Sequence, residues 1–190
     1  MFKVLLADPP WAFADKLPGE TRGAAKNYAV LSLDEIRRFP LPPLADDALL
    51  FLWRVSSQPE EALSVARAWG FVPKSEIVWV KTVKDASGCY QPGDALAFGM
   101  GRYVRHAHEG CLIASRGKGH TLIRNRAVRS IFFSPRLKHS EKPEAIYSII
   151  ESLAPGPYAE LFARRVRVGW SQWGDELPGG APHPAAAGAP

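Results

Sequence analysis

The chain has 190 residues, of which 46% are hydrophobic and 23% are charged, and its formal net charge is +5. These values are ordinary for a globular protein and allow one domain with a substantial core. No apolar run reaches the roughly 18 residues of a membrane span, the N-terminus lacks a signal-peptide pattern, and two cysteines provide no disulfide framework. We therefore expect a cytoplasmic protein.

The first predicted element is a buried strand over residues 4–7, which runs directly into the sequence Asp8-Pro9-Pro10-Trp11. Two prolines cannot continue a sheet ladder, so the strand ends there and presents Asp8 at its carboxyl end, where open α/β sheets bind ligands. Asp8 and the Pro9 carbonyl are suited to accept the two hydrogens of a nucleobase amine, with Trp11 stacked on the base. The residues alone leave an alternative open, a strand-ending turn with a core tryptophan.

A long loop follows over residues 12–27, and a loop of this length suggests a lid. Tyr28 ends it, either as a second aromatic wall of a site or as a core residue. Ser32 and Glu35 form a capping box that starts a short helix ending before Pro40.

From there strands and helices alternate, which predicts an α/β fold with a mostly parallel sheet. Further strands are predicted at 48–53, 76–81, 110–115, 131–133, 158–163 and 169–174, and helices at 59–69 and 143–153. We expect a single domain over residues 1–177 and a disordered tail, rich in Ala, Gly and Pro, over residues 178–190.

The positive charge is concentrated in residues 100–139, which carry a net charge of +8, whereas the rest of the chain carries −3. Such asymmetry favours a polyanion partner over the alternative of a solvated basic loop. We expect Arg116, Lys118, Arg124 and Arg126 in this segment to contact nucleic acid.

The one acidic residue of this segment, Glu109, suits a hydrogen-bond acceptor for a base or ribose edge. An ion pair with neighbouring arginines is the alternative. His106, His108 and Cys111 lack a second ligand pair at the spacing of a zinc site, so no metal is expected.

Taken together, these residues resemble the N(6)-adenine methyltransferases that carry an Asp-Pro-Pro-Trp catalytic motif. That family comprises the catalytic subunit of the eukaryotic mRNA adenosine methyltransferase and its bacterial and phage relatives. The resemblance runs from about residue 4 to residue 177. Besides the first motif, its pieces are Tyr28 with Leu31-Ser32-Leu33-Asp34-Glu35, Leu50-Phe51-Leu52-Trp53, Trp79-Val80-Lys81-Thr82, Lys142-Pro143, Glu160-Leu161-Phe162-Ala163-Arg164, and Gly169-Trp170 leading to Trp173-Gly174.

The resemblance implies a Rossmann-like methyltransferase fold in circularly permuted order, with the catalytic motif ahead of the cofactor-binding motif. It also implies S-adenosyl-L-methionine as cofactor. The implied catalytic residues are Asp8, Pro9, Pro10 and Trp11, and the implied acceptor-site residues include Trp11, Tyr28 and Glu109. The implied cofactor contacts are Asp8, Lys142, Glu160, Phe162, Arg164, Asp175 and Glu176.

Two positions depart from the family pattern. Asp175 stands where the family usually has Asn, and a carboxylate accepts hydrogen bonds but cannot donate them as an amide does. Arg165-Val166-Arg167 stands where the eukaryotic branch has Pro-His-Asn, so that branch's cofactor contact is not carried over.

We therefore predict a methyltransferase that modifies the N(6) amine of adenine in nucleic acid by direct in-line transfer. DNA is favoured over RNA, because the compact chain looks like the bacterial and phage branch, where DNA adenine is the commoner acceptor. The alternative is a catalytically silent nucleic-acid-binding subunit, against which the intact motif argues. Methylation of a protein or small-molecule amine leaves the stacking aromatics and the basic segment unexplained. The sequence leaves open whether the chain forms a homodimer or pairs with a related methyltransferase subunit.

Overall fold

The computed structural model describes residues 1–12, 30–83, 96–99, 103–136, 141–180 and 184. Seven strands in this part of the chain form one sheet in the order β5-β3-β4-β2-β1-β6-β7. Their bounds are β1 Phe2–Ala7, β2 Leu44–Arg54, β3 Val72–Thr82, β4 His108–Arg116, β5 Ile131–Pro135, β6 Tyr158–Leu161 and β7 Trp170–Trp173. Neighbouring strands pair in parallel, except that β4 runs antiparallel to both β2 and β3. The predicted α/β fold with a mostly parallel, Rossmann-like sheet is confirmed, while the permuted motif order stays a prediction.

Three α-helices accompany the sheet in the described ranges, α1 Leu33–Arg37, α2 Pro59–Ala68 and α3 Ala145–Leu153, and a 3-10 helix spans Gly119–Leu122. The predicted capping box starts α1, because the Ser32 hydroxyl accepts from the Glu35 main-chain nitrogen and the Glu35 carboxylate accepts from the Ser32 nitrogen. In the described part of the chain, no helix has the length and apolar character needed to cross a membrane.

Strand bounds differ from the prediction where an apolar pattern is a poor guide. Strands β2 and β3 begin several residues earlier than expected, because polar residues, Asp46 and Asp47 in β2 and Lys74 and Ser75 in β3, interrupt the apolar pattern near their starts. Strand β6 ends at Leu161 instead of residue 163, since Phe162 takes a φ of 62°, which a strand cannot accommodate.

Each face of the sheet is covered by different helices, because alternate side chains of a strand point in opposite directions. Leu5 and Leu50 pack on the face covered by α1 and α2. Leu6 and Phe51 pack on the opposite face, where Ile150 of α3 covers them. Burial on both faces explains why β1 and β2 read as continuous apolar runs.

The reversed direction of β4 decides which of its ends meets the other strands' carboxyl ends. Arg54, the last residue of β2, pairs with Gly110 near the start of β4, and Ala48 pairs with Arg116 at its end. Glu109 therefore lies at the same edge of the sheet as Asp8, which we call the site edge. Arg116 lies at the opposite edge, which we call the far edge.

The packing of α3 on the sheet yields a stability prediction. Ile150→Ala should lower the free energy of unfolding by about 2–5 kcal/mol, because Ile150 is fully buried and its truncation leaves a cavity. Denaturant titration measures the change. Ser148→Ala, on the exposed side of the same helix, is the matched control and should shift stability by less than about 0.5 kcal/mol. Equal effects from the two variants would contradict the packing described.

Candidate active site

The site is built around Asp8, which directly follows β1. Its main-chain nitrogen lies 3.5 Å from the Leu161 carbonyl oxygen of β6, and its side chain is 14% exposed. The two prolines after it form a bonded turn, in which the Trp11 nitrogen donates to the Pro9 carbonyl and the Leu31 nitrogen donates to the Pro10 carbonyl. Asp8 is thus held between a strand and a rigid turn.

Two carboxylates and two ammonium groups alternate at the site edge. The Lys142 ammonium lies 2.8 Å from Asp8 Oδ2 and 3.3 Å from Glu109 Oε2, and the Lys81 ammonium lies 2.5 Å from Glu109 Oε1. These residues come from four separate places in the fold: the end of β1, the start of β4, the end of β3 and the segment before α3. The ion pair considered for Glu109 exists, and two lysines, Lys81 and Lys142, are partners in it.

The surroundings shift the pKa values of three of these groups. Burial raises the pKa of Asp8 above its usual value, even though Lys142 acts in the opposite direction. Burial would also raise the pKa of Glu109, but Lys142 and Lys81 outweigh it and hold that pKa below its usual value. Burial alone would lower the pKa of Lys142, but Asp8 and Glu109 outweigh it and raise that pKa. Lys142 is therefore a cation and Glu109 an anion at neutral pH.

A cleft of about 400 Å³ opens beside Asp8 on the α3 side of the sheet. Six of the seven predicted cofactor contacts line it together: Asp8, Lys142, Glu160, Phe162, Arg164 and Glu176. Asp175 is exposed and is not part of the lining. The described residues contain no group of three His, Cys, Asp or Glu side chains that could hold a metal ion.

Glu160 is the most enclosed acid of the cleft, with 6% of its surface exposed. Its carboxylate accepts hydrogen bonds from the Tyr147 hydroxyl at 2.9 and 3.1 Å and from the Gln172 amide nitrogen at 2.6 Å. Burial raises the pKa of Glu160 to about 7, although both hydrogen bonds favour the ionised form. Glu160 therefore titrates near neutral pH.

Two arginines that the sequence analysis gave no role hold the segment carrying Lys142. The Arg165 guanidinium donates to the Lys142 main-chain oxygen at 2.5 Å and to Glu141 at 3.2 Å. Arg167 pairs with Glu151 at 2.9 Å and also with Glu144. Glu144 and Glu151 are seven residues apart, a spacing that places two side chains on the same face of a helix, two turns apart. This spacing was the sequence signal for a pair of acidic partners.

Trp11 occupies the core, which is the alternative that its sequence position left open. Its side chain is 5% exposed and packs on the α1 and α2 side of the sheet, and its indole nitrogen donates to the Trp53 carbonyl at 3.1 Å. This bond braces the Asp8 turn against β2. The stacking of Trp11 on a base stays a prediction.

Trp53 lines the cleft on the other side of the sheet and was not among the expected site residues. Its ring centroid lies 5.4 Å from the Lys142 ammonium, which is a cation–π distance. Its buried indole nitrogen has no hydrogen-bond partner in the structure as described. A buried donor without a partner is costly, so a ligand acceptor atom at this point would be favoured.

The structure does not bring the expected nucleic-acid contacts to the site edge. Arg116 is the last residue of β4. Two residues later, the main-chain nitrogen of Lys118 donates to the carboxylate of Asp47 near the start of β2. The Arg124 main chain and Asn125, the neighbour of Arg126, bond to the end of α3. Arg116 is seven residue steps of extended strand from Glu109, which is roughly 23 Å. Tyr28 and the loop expected to act as a lid lie outside the described residues.

A family model described as MT-A70 matches residues 2–176. This range includes β1 to β7 and every described residue of the cleft.

Curated relatives include proteins from animals and bacteria. The N(6)-adenosine-methyltransferase MT-A70-like protein of Drosophila melanogaster is 33% identical over 94% of this chain and 27% of its own length. The N(6)-adenosine-methyltransferase catalytic subunit METTL3 of Homo sapiens is 33% identical over 94% of this chain and 28% of its own length. The type II methyltransferase M.MunI of Mycoplasma sp is 32% identical over 93% of this chain and 78% of its own length. The chain thus spans about a quarter of the length of these animal relatives.

The environment of Glu160 yields a pH prediction. Its pKa is 4.5 in an unfolded chain and about 7 in the fold, so the folded state binds the proton more tightly and stability falls as the pH rises through this window. The loss is on the order of 3 kcal/mol. Glu160→Gln carries no such proton, so its stability relative to the parent should rise between these pH values.

Denaturant unfolding of both proteins from pH 4.5 to pH 7 measures this difference. Glu60→Gln, at an exposed carboxylate in the first turn of α2, is the control and should not reproduce the pH dependence. A constant difference between Glu160→Gln and the parent would show that the cleft does not alter the Glu160 proton equilibrium.

Proposed function

This chain belongs to the MT-A70 family, as its motifs predicted, and on that basis we propose that it transfers a methyl group to the N(6) amine of adenine in a nucleic acid. The observation that carries the proposal is the environment of Asp8. Its carboxylate is largely buried at the carboxyl end of β1, borders the cleft, and accepts a hydrogen bond from an amino group, that of Lys142, at 2.8 Å. An amine donor is therefore compatible with this position.

We propose S-adenosyl-L-methionine as the cofactor, and the chemistry of the cleft fits it. The volume of about 400 Å³ lies within the range of small-molecule sites. Glu160 and Glu176 offer acceptors for hydroxyl and ammonium groups, Arg164 offers a cation for a carboxylate, and Trp53 offers an unused indole donor. When bound, the cofactor supplies an electrophilic methyl group on a sulfonium sulfur, which keeps the bonding electrons of the broken carbon–sulfur bond.

The chain's own residues orient the adenine amine. Asp8 accepts one amine hydrogen, and the Pro9 carbonyl, which uses one lone pair for the Trp11 nitrogen, retains a second lone pair for the other. When the amine binds, the Lys142 ammonium leaves Asp8. The ammonium stays paired with a carboxylate, because Glu109 Oε2 already lies 3.3 Å from it. Orientation of this kind contributes up to about 7–11 kcal/mol to a reaction barrier.

Asp8 also acts on the charge that develops. The nitrogen becomes positive as it gains the methyl group, and a preorganised carboxylate beside it stabilises that charge. The nitrogen then gives up one proton, and Asp8, whose pKa is raised by burial, is the adjacent acceptor.

Of the two acceptors, we propose DNA. The alignment with M.MunI extends over 78% of that protein, which supports the likeness to the bacterial branch, where DNA adenine is the commoner acceptor. The experiment is methyl transfer from labelled S-adenosylmethionine to matched DNA and RNA oligonucleotides, single- and double-stranded, read by nucleoside mass spectrometry.

The product in that assay decides the proposal. N(6)-methyldeoxyadenosine supports it, and a preference for duplex would mean that the base is flipped out at a cost of a few kcal/mol. N(6)-methyladenosine in the RNA oligonucleotides alone would show that the acceptor is RNA and not DNA. No product on any oligonucleotide, with cofactor binding intact, would contradict catalysis and indicate a silent binding subunit.

The role of Asp8 gives a direct prediction. Asp8→Ala should lower the methyl-transfer rate at least about 10²–10³-fold, because the amine loses both its orienting acceptor and its charge stabilisation. Cofactor binding should stay measurable by calorimetry. Asp46→Ala, which removes an exposed carboxylate at the start of β2, is the control and should retain the parent rate. Substantial activity in Asp8→Ala would refute the mechanism.

A further inference from the structure

The basic segment is split between the two edges of the sheet, and its far portion is not explained by the reaction. We propose that Arg116, Lys118, Arg124 and Arg126, the far-edge basic face, bind the phosphate backbone of nucleic acid at a stretch distant from the target base. This inference rests on the proposed function only in taking nucleic acid as the partner. It assigns the face to anchoring rather than to catalysis or base recognition.

The position of the face excludes a contact with the reacting base. Glu109 and Arg116 lie at opposite ends of β4, roughly 23 Å apart along the strand. The residues after Arg116 continue away from the site edge, as the bond from the Lys118 nitrogen to Asp47 at 2.6 Å shows. A backbone bound there belongs to a different part of the polymer from the nucleotide at Asp8.

The segment that carries the face is anchored to the fold on its inner side. The Arg124 main-chain nitrogen donates to the Leu153 carbonyl at 2.9 Å, and the Asn125 amide donates to the Ser152 hydroxyl at 2.8 Å. Leu122 and Ile123 pack on the core beneath α3. The basic side chains therefore project from a positioned backbone, which lowers the entropy lost when they bind.

No ion pair in the described part of the chain neutralises a cation of the face, although the Asp47 carboxylate lies beside it. Residues 116–136 contain no acidic residue, and none of the ion pairs found in the described ranges involves any of the four cations. The Asp47 carboxylate accepts from the main-chain nitrogen of Lys118, not from the Lys118 ammonium group. Arg165 and Arg167 differ, because glutamates pair with both.

The chemistry of the surface favours nucleic acid over an acidic protein. Protein interfaces have an apolar core inside a polar rim. Between residues 116 and 130, all of which are described, no large hydrophobic side chain is exposed. Apart from Val72, which pairs with Ser115 beside Arg116, the face is formed by cations and polar groups, and such a surface suits a phosphate backbone, whose binding is dominated by the release of counterions.

The test compares two triple variants of the full chain. Lys118→Gln, Arg124→Gln and Arg126→Gln together neutralise three exposed cations of the face. Arg37→Gln, Arg38→Gln and Arg67→Gln remove the same charge from exposed positions at the carboxyl ends of α1 and α2, where Arg37 and Arg38 pair with Asp34. Binding of a 30-base-pair duplex and of a single strand is measured by fluorescence anisotropy against salt, without cofactor.

The expected result is a change in salt dependence confined to the face variant. If each of its three cations neutralises one phosphate, the slope of log K against log salt for duplex falls by about 2.7, so the parent loses about 40-fold more affinity than the variant between about 50 and 200 mM salt. The control triple should keep the parent slope. Equal slopes in all three proteins, for duplex and single strand, would overturn the proposal, as would equal reductions in both variants.

A second readout separates anchoring from catalysis. An adenine-containing trinucleotide spans roughly 10 Å when stacked, too short to join the two edges. Its maximal methylation rate should be the same in the face variant and the parent, and a lower rate in the face variant would overturn the assignment to anchoring. If the parent methylates nothing but the slopes differ as expected, the proposed function fails and the far-edge face stands.

Discussion

The pairing of Lys142 with Asp8 joins parts of the chain that are 134 residues apart, and the architecture of the site follows from it. Asp8 cannot move, because a strand precedes it and two prolines follow it. Lys142 is carried by the segment before α3, which Arg165 holds through the Lys142 carbonyl. The ion pair therefore fixes the start of α3 over the carboxyl ends of β1 and β6, and the cleft is the space between them. A second carboxylate supports this enclosed charge pair, because Glu109 also faces Lys142 at 3.3 Å.

The reversed strand β4 links the two functional surfaces. If β4 ran parallel to its neighbours, Glu109 would start at the far edge and the basic residues after it would reach the cleft. Because it runs antiparallel to β2 and β3, its first carboxylate joins Asp8 and its last residues leave for the opposite edge. One strand thus supplies both an acid to the site and the approach to the far-edge basic face, and the two are separated by the length of the strand.

The arginines of this protein divide by their partners. Arg165 and Arg167 are neutralised by glutamates before and within α3, and the Arg167 guanidinium also lies 4.6 Å from the Tyr147 ring centroid. The charges of these two arginines therefore interact with partners inside the fold. Arg124 and Arg126 have no such partners in the described chain and face solvent. An ion pair fixes a guanidinium in one place and weakens its attraction for a second anion. The distribution of glutamates, rather than of arginines, therefore decides where this surface attracts a polyanion.

Sequence by itself determined the features that depend on local chemistry: the strand ending at Asp8, the capping box of Ser32 and Glu35, the alternation of elements and the family. Tertiary structure alone decided where Trp11 points, which lysines meet Glu109, and that Arg116 lies at the far edge. These follow from the register and direction of strands distant in the chain, and an apolar pattern reports that a residue is buried but not on which face or beside what. Residues such as Phe162, whose positive φ ends β6, show the same limit, because a backbone angle imposed by packing carries no signature in side-chain type.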